Sequence, residues 1–306
     1  MRTSTLFVFC LLFFAVPCIH AQTPDDGFYM EAGEICIAVP YSYDSWDEYW
    51  EGELLRTNGN IGTFNRQAVM PMFALGLIPN LNVIIAQPYV WTTSTGGSVT
   101  GQQGFQDFSL WLKWRSLQLD FEKSRLDVSL VGGFSTPISN YYPDFLPFSI
   151  GLGSTNLTGQ GILHYELQPG WFATLTGGYT SRSNIELERD FYYADGVAYN
   201  TNEVEMPALA TGRLALGYVN PRIKANLVAT VMNTLGGGDI RRQDMPFPSY
   251  NMDQTRVGAE AQYYFAKPLG LSVIGFGSYA VAGRNVGQST MLGGGIAYQF
   301  HIWKKA

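Results

Sequence analysis

Charged side chains that recur at every second position of otherwise apolar segments are the residues here best suited to a chemical task. Side chains two residues apart on a strand point to the same side, so these charges would face a shared interior and line a polar passage. Alternatively, they pair across strands to neutralise one another, and both roles can hold together. The set comprises Asp107, Lys113, Arg115, Arg125, Asp127, Arg213, Lys224, Arg256 and Glu260.

Aromatic side chains in three connecting segments form a second candidate group. Each segment combines the rings with proline or acidic residues, which is typical of exposed patches that capture an apolar or aromatic ligand. An equally favoured alternative is that these segments pack on one another and close the opening at their end of the protein. The candidates are Tyr141, Tyr142, Phe145, Phe191, Tyr192, Tyr193, Phe247 and Tyr250.

Catalytic and metal-binding patterns are weak. His164 lies in LHYELQ and His301 in FHIWKK, and neither spacing suggests a serine nucleophile beside its base. No His/Cys group has metal-ligand spacing, and the glycines at 236–238 are followed by no helix pattern that could hold a phosphate. We therefore expect no catalytic residue, no metal and no cofactor, with a barrel hydrolase as an alternative.

The elements that must position these residues are strands. In GFQDFSLWLKWR (104–115), apolar and polar side chains alternate from Phe108 onward, and similar segments of about ten residues recur. Short turns are expected at 79–80, 118–124, 168–170, 220–222 and 267–270. Longer connections alternate with them at 41–62, 94–104, 137–154, 183–206, 235–253 and 283–288. This layout predicts an all-β, up-and-down antiparallel transmembrane barrel of about 12 strands, the first around Tyr29–Val39.

The beginning of the chain reads as a secretory signal peptide at 1–21. A basic Arg2, an apolar run and Ile19-His20-Ala21 precede a polar stretch; a lipoprotein signal at Cys18 is the alternative. Residues 22–306 then form one barrel domain with Cys36 as its one cysteine. Cleavage leaves 18 basic and 25 acidic residues, a formal charge of −7 that argues against nucleic acid as a partner.

Composition and the last strand indicate a membrane setting. Charged residues make up only 14% of the chain, whereas soluble domains have about 25%. Aromatic residues gather near the turn ends of the apolar faces, as at a membrane interface. Gly295, Tyr298 and Phe300 resemble the insertion signal of outer-membrane barrels. The expected partners are outer-membrane lipid, the barrel assembly machinery of a Gram-negative cell and a small-molecule ligand, with both termini periplasmic.

The order of motifs resembles a known family. GLIPNLNVIIAQPYVW (76–91), GFQDFSLWLKWR, FSTPISN (134–140) and IGLGSTNLTGQGILHYEL (150–167) are similar to the outer-membrane channels named for the meta-pathway of phenol degradation. These channels are distant relatives of fatty acid and aromatic hydrocarbon transporters. In that family an aspartate and a basic pair recur in the central motif, and they match Asp107, Lys113 and Arg115. The resemblance covers 61–182 and implies a barrel.

These observations predict an outer-membrane channel or transporter for passive uptake or efflux of small compounds, hydrophobic or aromatic ones among them. A barrel of about 12 strands lies between small filled barrels and wide porins, so a narrow conduit is expected. The alternatives are a hydrolase and a non-transporting barrel used for adhesion or envelope structure.

Overall fold

The computed structural model describes residues 22–241 and 245–302, and the predicted signal peptide lies outside them. Within this part of the chain every regular element is a strand. The strands are β1 (Glu34–Trp46), β2 (Glu48–Glu51), β3 (Leu54–Thr57), β4 (Phe64–Val69), β5 (Met72–Ile78), β6 (Leu81–Ala86), β7 (Tyr89–Ser94), β8 (Gln103–Phe105), β9 (Phe108–Asp120), β10 (Ser124–Thr136), β11 (Asn156–Leu167), β12 (Trp171–Arg182), β13 (Ile185–Glu186), β14 (Tyr192–Ala194), β15 (Val197–Tyr199), β16 (Glu203–Val204), β17 (Leu209–Val219), β18 (Ile223–Thr234), β19 (Asp253–Tyr264), β20 (Leu271–Arg284) and β21 (Thr290–His301).

The main sheet closes on itself. Each long strand pairs antiparallel with its neighbours in the chain, and β1 pairs with β21 from Glu34↔His301 to Ser45↔Thr290. Counting β4 with β5 and β6 with β7 as single broken strands, twelve strands surround the interior. The predicted all-β, up-and-down antiparallel barrel is confirmed.

Prolines interrupt the second and third strands of the barrel. β4 and β5 are separated at Met70-Pro71, and β6 and β7 at Gln87-Pro88. Proline has no N–H group to donate to a sheet, so each strand breaks where proline enters it. Beyond the break, β7 pairs with β4 and the short β8, whereas β6 pairs with β5 and β9.

Connections of two kinds sort to opposite ends of the barrel. The short-turn end carries the connections 79–80, 121–123, 168–170, 220–222 and 265–270. The long-loop end carries 47–63, 95–107, 137–155, 183–208, 235–252 and 285–289. The first strand was placed wrongly from the sequence: it is Glu34–Trp46, because the residues before it enter the barrel interior.

Side chains alternate between the two faces as the period of a strand requires. In β9, Leu112 is 50% exposed on the outside while Lys113 is 0% exposed inside. A bulge opposite Val128/Ser129 leaves Ser116 without a paired residue on β10. This extra residue shifts the alternation by one position, so Leu117 and Leu119 lie on the outer face. The strand thereby keeps an apolar outer face over its whole length.

Exposed aromatic rings encircle the outer face near both ends. At the short-turn end Trp171 packs on Tyr218, and Tyr298 on Phe300. At the long-loop end are Tyr41, Tyr43, Tyr179 and Tyr279. No helix long and apolar enough to cross a membrane occurs among residues 22–241 and 245–302.

Candidate functional site

Residues 22–33, which we call the N-terminal segment, lie inside the short-turn half of the barrel. Gln22 is buried against the side chain of Asn82. Thr176 donates a hydrogen bond to the backbone oxygen of Asp25 at 2.9 Å, and Phe28 packs on Phe172 and Val219. The segment therefore contacts strands on several sides of the barrel and fills this half of its interior.

Lys113 is the centre about which this segment folds. Its ammonium group donates to the Thr23 backbone oxygen at 3.1 Å, to the Asp26 carboxylate at 2.7 Å and to the Phe28 backbone oxygen at 3.0 Å. An ammonium has three donors, so all three are directed at the N-terminal segment. This predicted lumen residue thus binds the chain itself.

Asp26 provides the matching negative charge. Its carboxylate accepts backbone N–H groups of Thr23 at 2.8 Å and Phe28 at 3.0 Å, which fixes a tight turn. A second cation, Lys224, lies 3.7 Å from the carboxylate and 4.5 Å from the centre of the Phe28 ring. Burial alone would raise the pKa of Asp26, but Lys113 and Lys224 outweigh it and hold that pKa well below its usual range.

The mouth at the short-turn end holds the next group of predicted charges. Arg115 and Arg125 both lie 3.3 Å from the buried Asp127 carboxylate, and Arg125 reaches Glu166 at 2.9 Å. The Arg115 guanidinium stacks 4.8 Å from the centre of the Tyr29 ring. Burial raises the pKa of the Tyr29 hydroxyl to about 12. A cavity of about 690 Å³ opens here, below residues 27–32.

Arg213, Arg256 and Glu260 line a separate cavity of about 260 Å³ above the N-terminal segment. Arg213 binds the Glu260 carboxylate at 3.0 Å, and Arg256 donates to Ser289 at 2.7 Å. The Asp25 side chain lines the same cavity, and burial raises the pKa of its carboxyl. The apolar part of the wall comes from Val228, Phe276 and Met291.

The long-loop end is narrowed by the 137–155 connection. Phe148 packs on Phe64 with ring centres 5.6 Å apart, and Ile150 is buried against Ala68 and Val90. Asp107 lies at this end, away from the other predicted charges, and accepts a hydrogen bond from Tyr141 at 2.6 Å.

The remaining aromatic candidates divide into two groups. Tyr192, Phe247 and Tyr250 are buried together in a hydrophobic cluster, here called the loop core. Its residues come from the connections 183–208 and 235–252. Four others are exposed: Tyr142, Phe145, Phe191 and Tyr193. Loop packing and exposed rings therefore coexist, and ligand capture stays a prediction.

Asn285 joins the loops at this end. Its side-chain oxygen accepts the N–H groups of Gly52 at 2.8 Å and Ile240 at 3.0 Å. Its amide nitrogen donates to Asp239 and to the Asn251 backbone oxygen, both at 2.7 Å. One amide thus holds three connections together.

The histidines stand in structural surroundings. His164 is buried between Phe28 and Phe172 and hydrogen-bonds Thr174 at 2.8 Å. His301 lies 3.8 Å from Glu31 at the short-turn end. Across the described ranges, no three His, Cys, Asp or Glu side chains are grouped so that they could hold a metal ion.

Sequence reasoning found the interior charges of the barrel strands but missed their partners on the N-terminal segment. Asp25 and Asp26 follow no periodic pattern, and Tyr29 was assigned to the first strand, whereas all three precede Glu34, where that strand begins. The available signal was two adjacent carboxylates ahead of a barrel whose predicted interior is rich in lysine and arginine.

Comparison with known proteins identifies the architecture. No protein-family profile and no curated protein matches the chain. Among solved structures, the chain is similar to the COG4313 outer membrane channel from Pseudomonas putida F1, with 16% identity and a TM-score of 0.67 over 92% of this chain and 100% of that one. The translocator domain of the autotransporter NalP from Neisseria meningitidis gives 12% identity and a TM-score of 0.45 over 89% and 90% of the two chains. At 16% identity, the likeness to the COG4313 channel establishes the fold.

Proposed function

We propose that this protein is an outer-membrane channel for the passive movement of small compounds, hydrophobic or aromatic ones among them, and that the N-terminal segment keeps it closed. An apolar outer face with aromatic rings at both ends suits a barrel that spans a lipid bilayer. In the orientation usual for such barrels, the short-turn end and both termini are periplasmic, and the long loops are extracellular.

The observation that carries this proposal is the way in which the N-terminal segment is held. Lys113 directs all three of its N–H donors at this segment, and Asp26 lies between the buried Lys113 and the partly buried Lys224. The twelve-stranded ladder begins at Glu34, and Gly33 is hydrogen-bonded to Gly76 and Ile302, so Gly33 stays with the barrel. Residues 22–32 can leave the interior without breaking a backbone hydrogen bond between barrel strands. A barrel of this kind can be closed at rest and opened by displacing one short stretch of chain.

The interior above the segment suits small amphipathic compounds. The cavity beside Arg213 combines ionic groups with the side chains of Phe276 and Met291. Ligand sites commonly pair an apolar wall with a few polar groups that fix orientation. The narrowing by Phe148 limits the size of compound that could pass.

Planar-bilayer conductance tests the proposal. Replacing Pro24–Phe28 by a flexible Gly/Ser stretch should give larger and more frequent conductance steps than the unmodified protein. The matched control replaces Gly96–Thr100, five mostly exposed residues of a long loop, and should leave conductance unchanged. A shift on unboiled gels establishes that each variant is folded. Absence of steps from both folded proteins would remove the channel proposal, and equal steps would remove the closing role of the segment.

A further inference from the structure

A hairpin formed by residues 185–204, here called the loop hairpin, rises from the long-loop end. Its strands pair at Ile185↔Val204 and Glu186↔Glu203, and again from Tyr192↔Tyr199 to Ala194↔Val197. The tip is Asp195-Gly196, where both residues have positive φ values, 51° and 76°. Two such residues make the tight turn that matches the twist of paired strands, so the tip is a defined structure.

One face of the loop hairpin is fixed against the loop core. Tyr192 stacks on Phe247 with ring centres 5.1 Å apart and on Tyr199 at 4.8 Å. Ile185, Ala194 and Val204 are buried in the same cluster. These contacts hold the hairpin in one orientation, so the opposite face is presented to solvent on a rigid support.

That opposite face is apolar as well. Phe191 is 63% exposed and Tyr193 is 52% exposed, and Ala198 pairs with Tyr193 on the same side. A strand that borders water on one face normally alternates apolar with polar side chains. This hairpin instead carries apolar side chains on both faces, which is typical of a surface that a partner covers.

The charge around these rings has one dominant sign. Connection 183–208 carries one basic residue, Arg189, and six acidic ones, and Arg241 of the neighbouring connection pairs with one of these, Asp195, at 3.5 Å. Arg189 is engaged by Asp144 of the neighbouring loop at 2.9 Å. The acidic residues are all exposed: Glu186, Glu188, Asp190, Asp195, Glu203 and Glu205.

We infer that the outer face of the loop hairpin is a docking site for a polypeptide that presents basic and apolar side chains together. Aromatic side chains on a rigid support provide the desolvated centre of an interface, and the surrounding carboxylates attract and orient a cationic partner. An anionic lipid surface would be repelled by the same carboxylates. The inference is independent of the proposed channel, because the hairpin lies outside the barrel interior.

Binding of a defined peptide tests this site. The full-length protein is placed in nanodiscs of zwitterionic phosphatidylcholine and titrated with a labelled 12-residue peptide of alternating lysine and phenylalanine, and with its glutamate counterpart. We expect the lysine peptide to bind and the double change Phe191→Ser with Tyr193→Ser to weaken it by about tenfold or more. The matched control, Tyr142→Ser with Phe145→Ser, removes two rings of another loop that are about half exposed and should leave binding unchanged.

A second variant separates charge from packing. Neutralising Glu186, Glu188 and Asp190 as Gln, Gln and Asn should weaken binding and flatten its dependence on salt, since exposed charges act over about 10 Å at 0.1 M salt. Equal affinity for the two peptides, no binding of the lysine peptide, or equal losses in the two ring variants would overturn the inference. The inference would also be overturned if the Phe191/Tyr193 double change weakened binding to vesicles containing lipopolysaccharide but not binding of the lysine peptide, since the occupant would then be lipid.

Discussion

Neutralising Asp26 gives the most direct test of how the interior is held. Asp26→Asn removes the carboxylate that lies 2.7 Å from Lys113 and 3.7 Å from Lys224. The side chain of Lys113 has no exposed area, so its charge would stay buried among dipoles without a counter-ion. Two N–H groups, those of Thr23 and Phe28, would also compete for the one remaining acceptor oxygen.

The expected cost is about 3–5 kcal/mol, the usual penalty for breaking a buried ion pair by removal of one partner. It falls on docking of the N-terminal segment, because Asp26 belongs to that segment and meets the barrel through the side chains of Lys113 and Lys224, not through the hydrogen bonds that pair the strands. At about 1.4 kcal/mol for each tenfold change, the ratio of docked to undocked segment should fall by a factor on the order of 10² to 4 × 10³. Single-channel recordings should then show longer and more frequent open states.

A double-mutant cycle shows whether the ion pair is responsible. Adding Lys113→Met to Asp26→Asn removes the stranded charge, so the double variant should open less than the sum of the two single effects predicts. Asp120→Asn is the control, since Asp120 is an exposed carboxylate at the end of β9. Wild-type conductance in Asp26→Asn, or strict additivity in the double variant, would refute the reasoning.

Three further changes have defined outcomes. Lowering the pH from 7 toward about 4 should reduce conductance, because the pKa of Asp25 is raised in the docked segment and protonation there favours docking; below that range, protonation of Asp26 should reverse the trend. Asp25→Asn should abolish the fall in conductance between pH 7 and about 4. A pH profile of conductance that this substitution leaves unchanged would contradict the role given to Asp25. Leu112→Lys should cost about 2–4 kcal/mol and impair assembly in an assay of heat-modifiable migration, whereas Leu54→Lys in a loop should assemble normally. Asn285→Ala should cost the loop assembly about 2 kcal/mol or more and speed proteolysis of the long loops with no change in barrel assembly, and identical cleavage rates would show that the amide is dispensable.

Local patterns were sufficient to determine the barrel. Strands such as Phe108–Asp120 were readable because alternation has a period of two residues, and turns such as Gln168-Pro169-Gly170 carry their own chemistry. The sorting of connections into short and long followed from counting residues between these strands. Each of these features is encoded within about ten residues of chain, so no through-space contact had to be known.

The tertiary structure decided what the interior charges do. Lys113 and Asp26 are 87 residues apart in sequence and meet only because the barrel closes around the N-terminal segment. The sequence located Lys113 on the inner face correctly, but it gave no sign that the partner would come from a stretch without periodicity. Likewise, alternation puts Tyr192 and Tyr193 on opposite faces of their strand but could not say which face is covered: the 235–252 connection buries Tyr192 and leaves Tyr193 in solvent. Periodicity assigns a side chain to one face of a strand. The tertiary structure decides which group packs against that face.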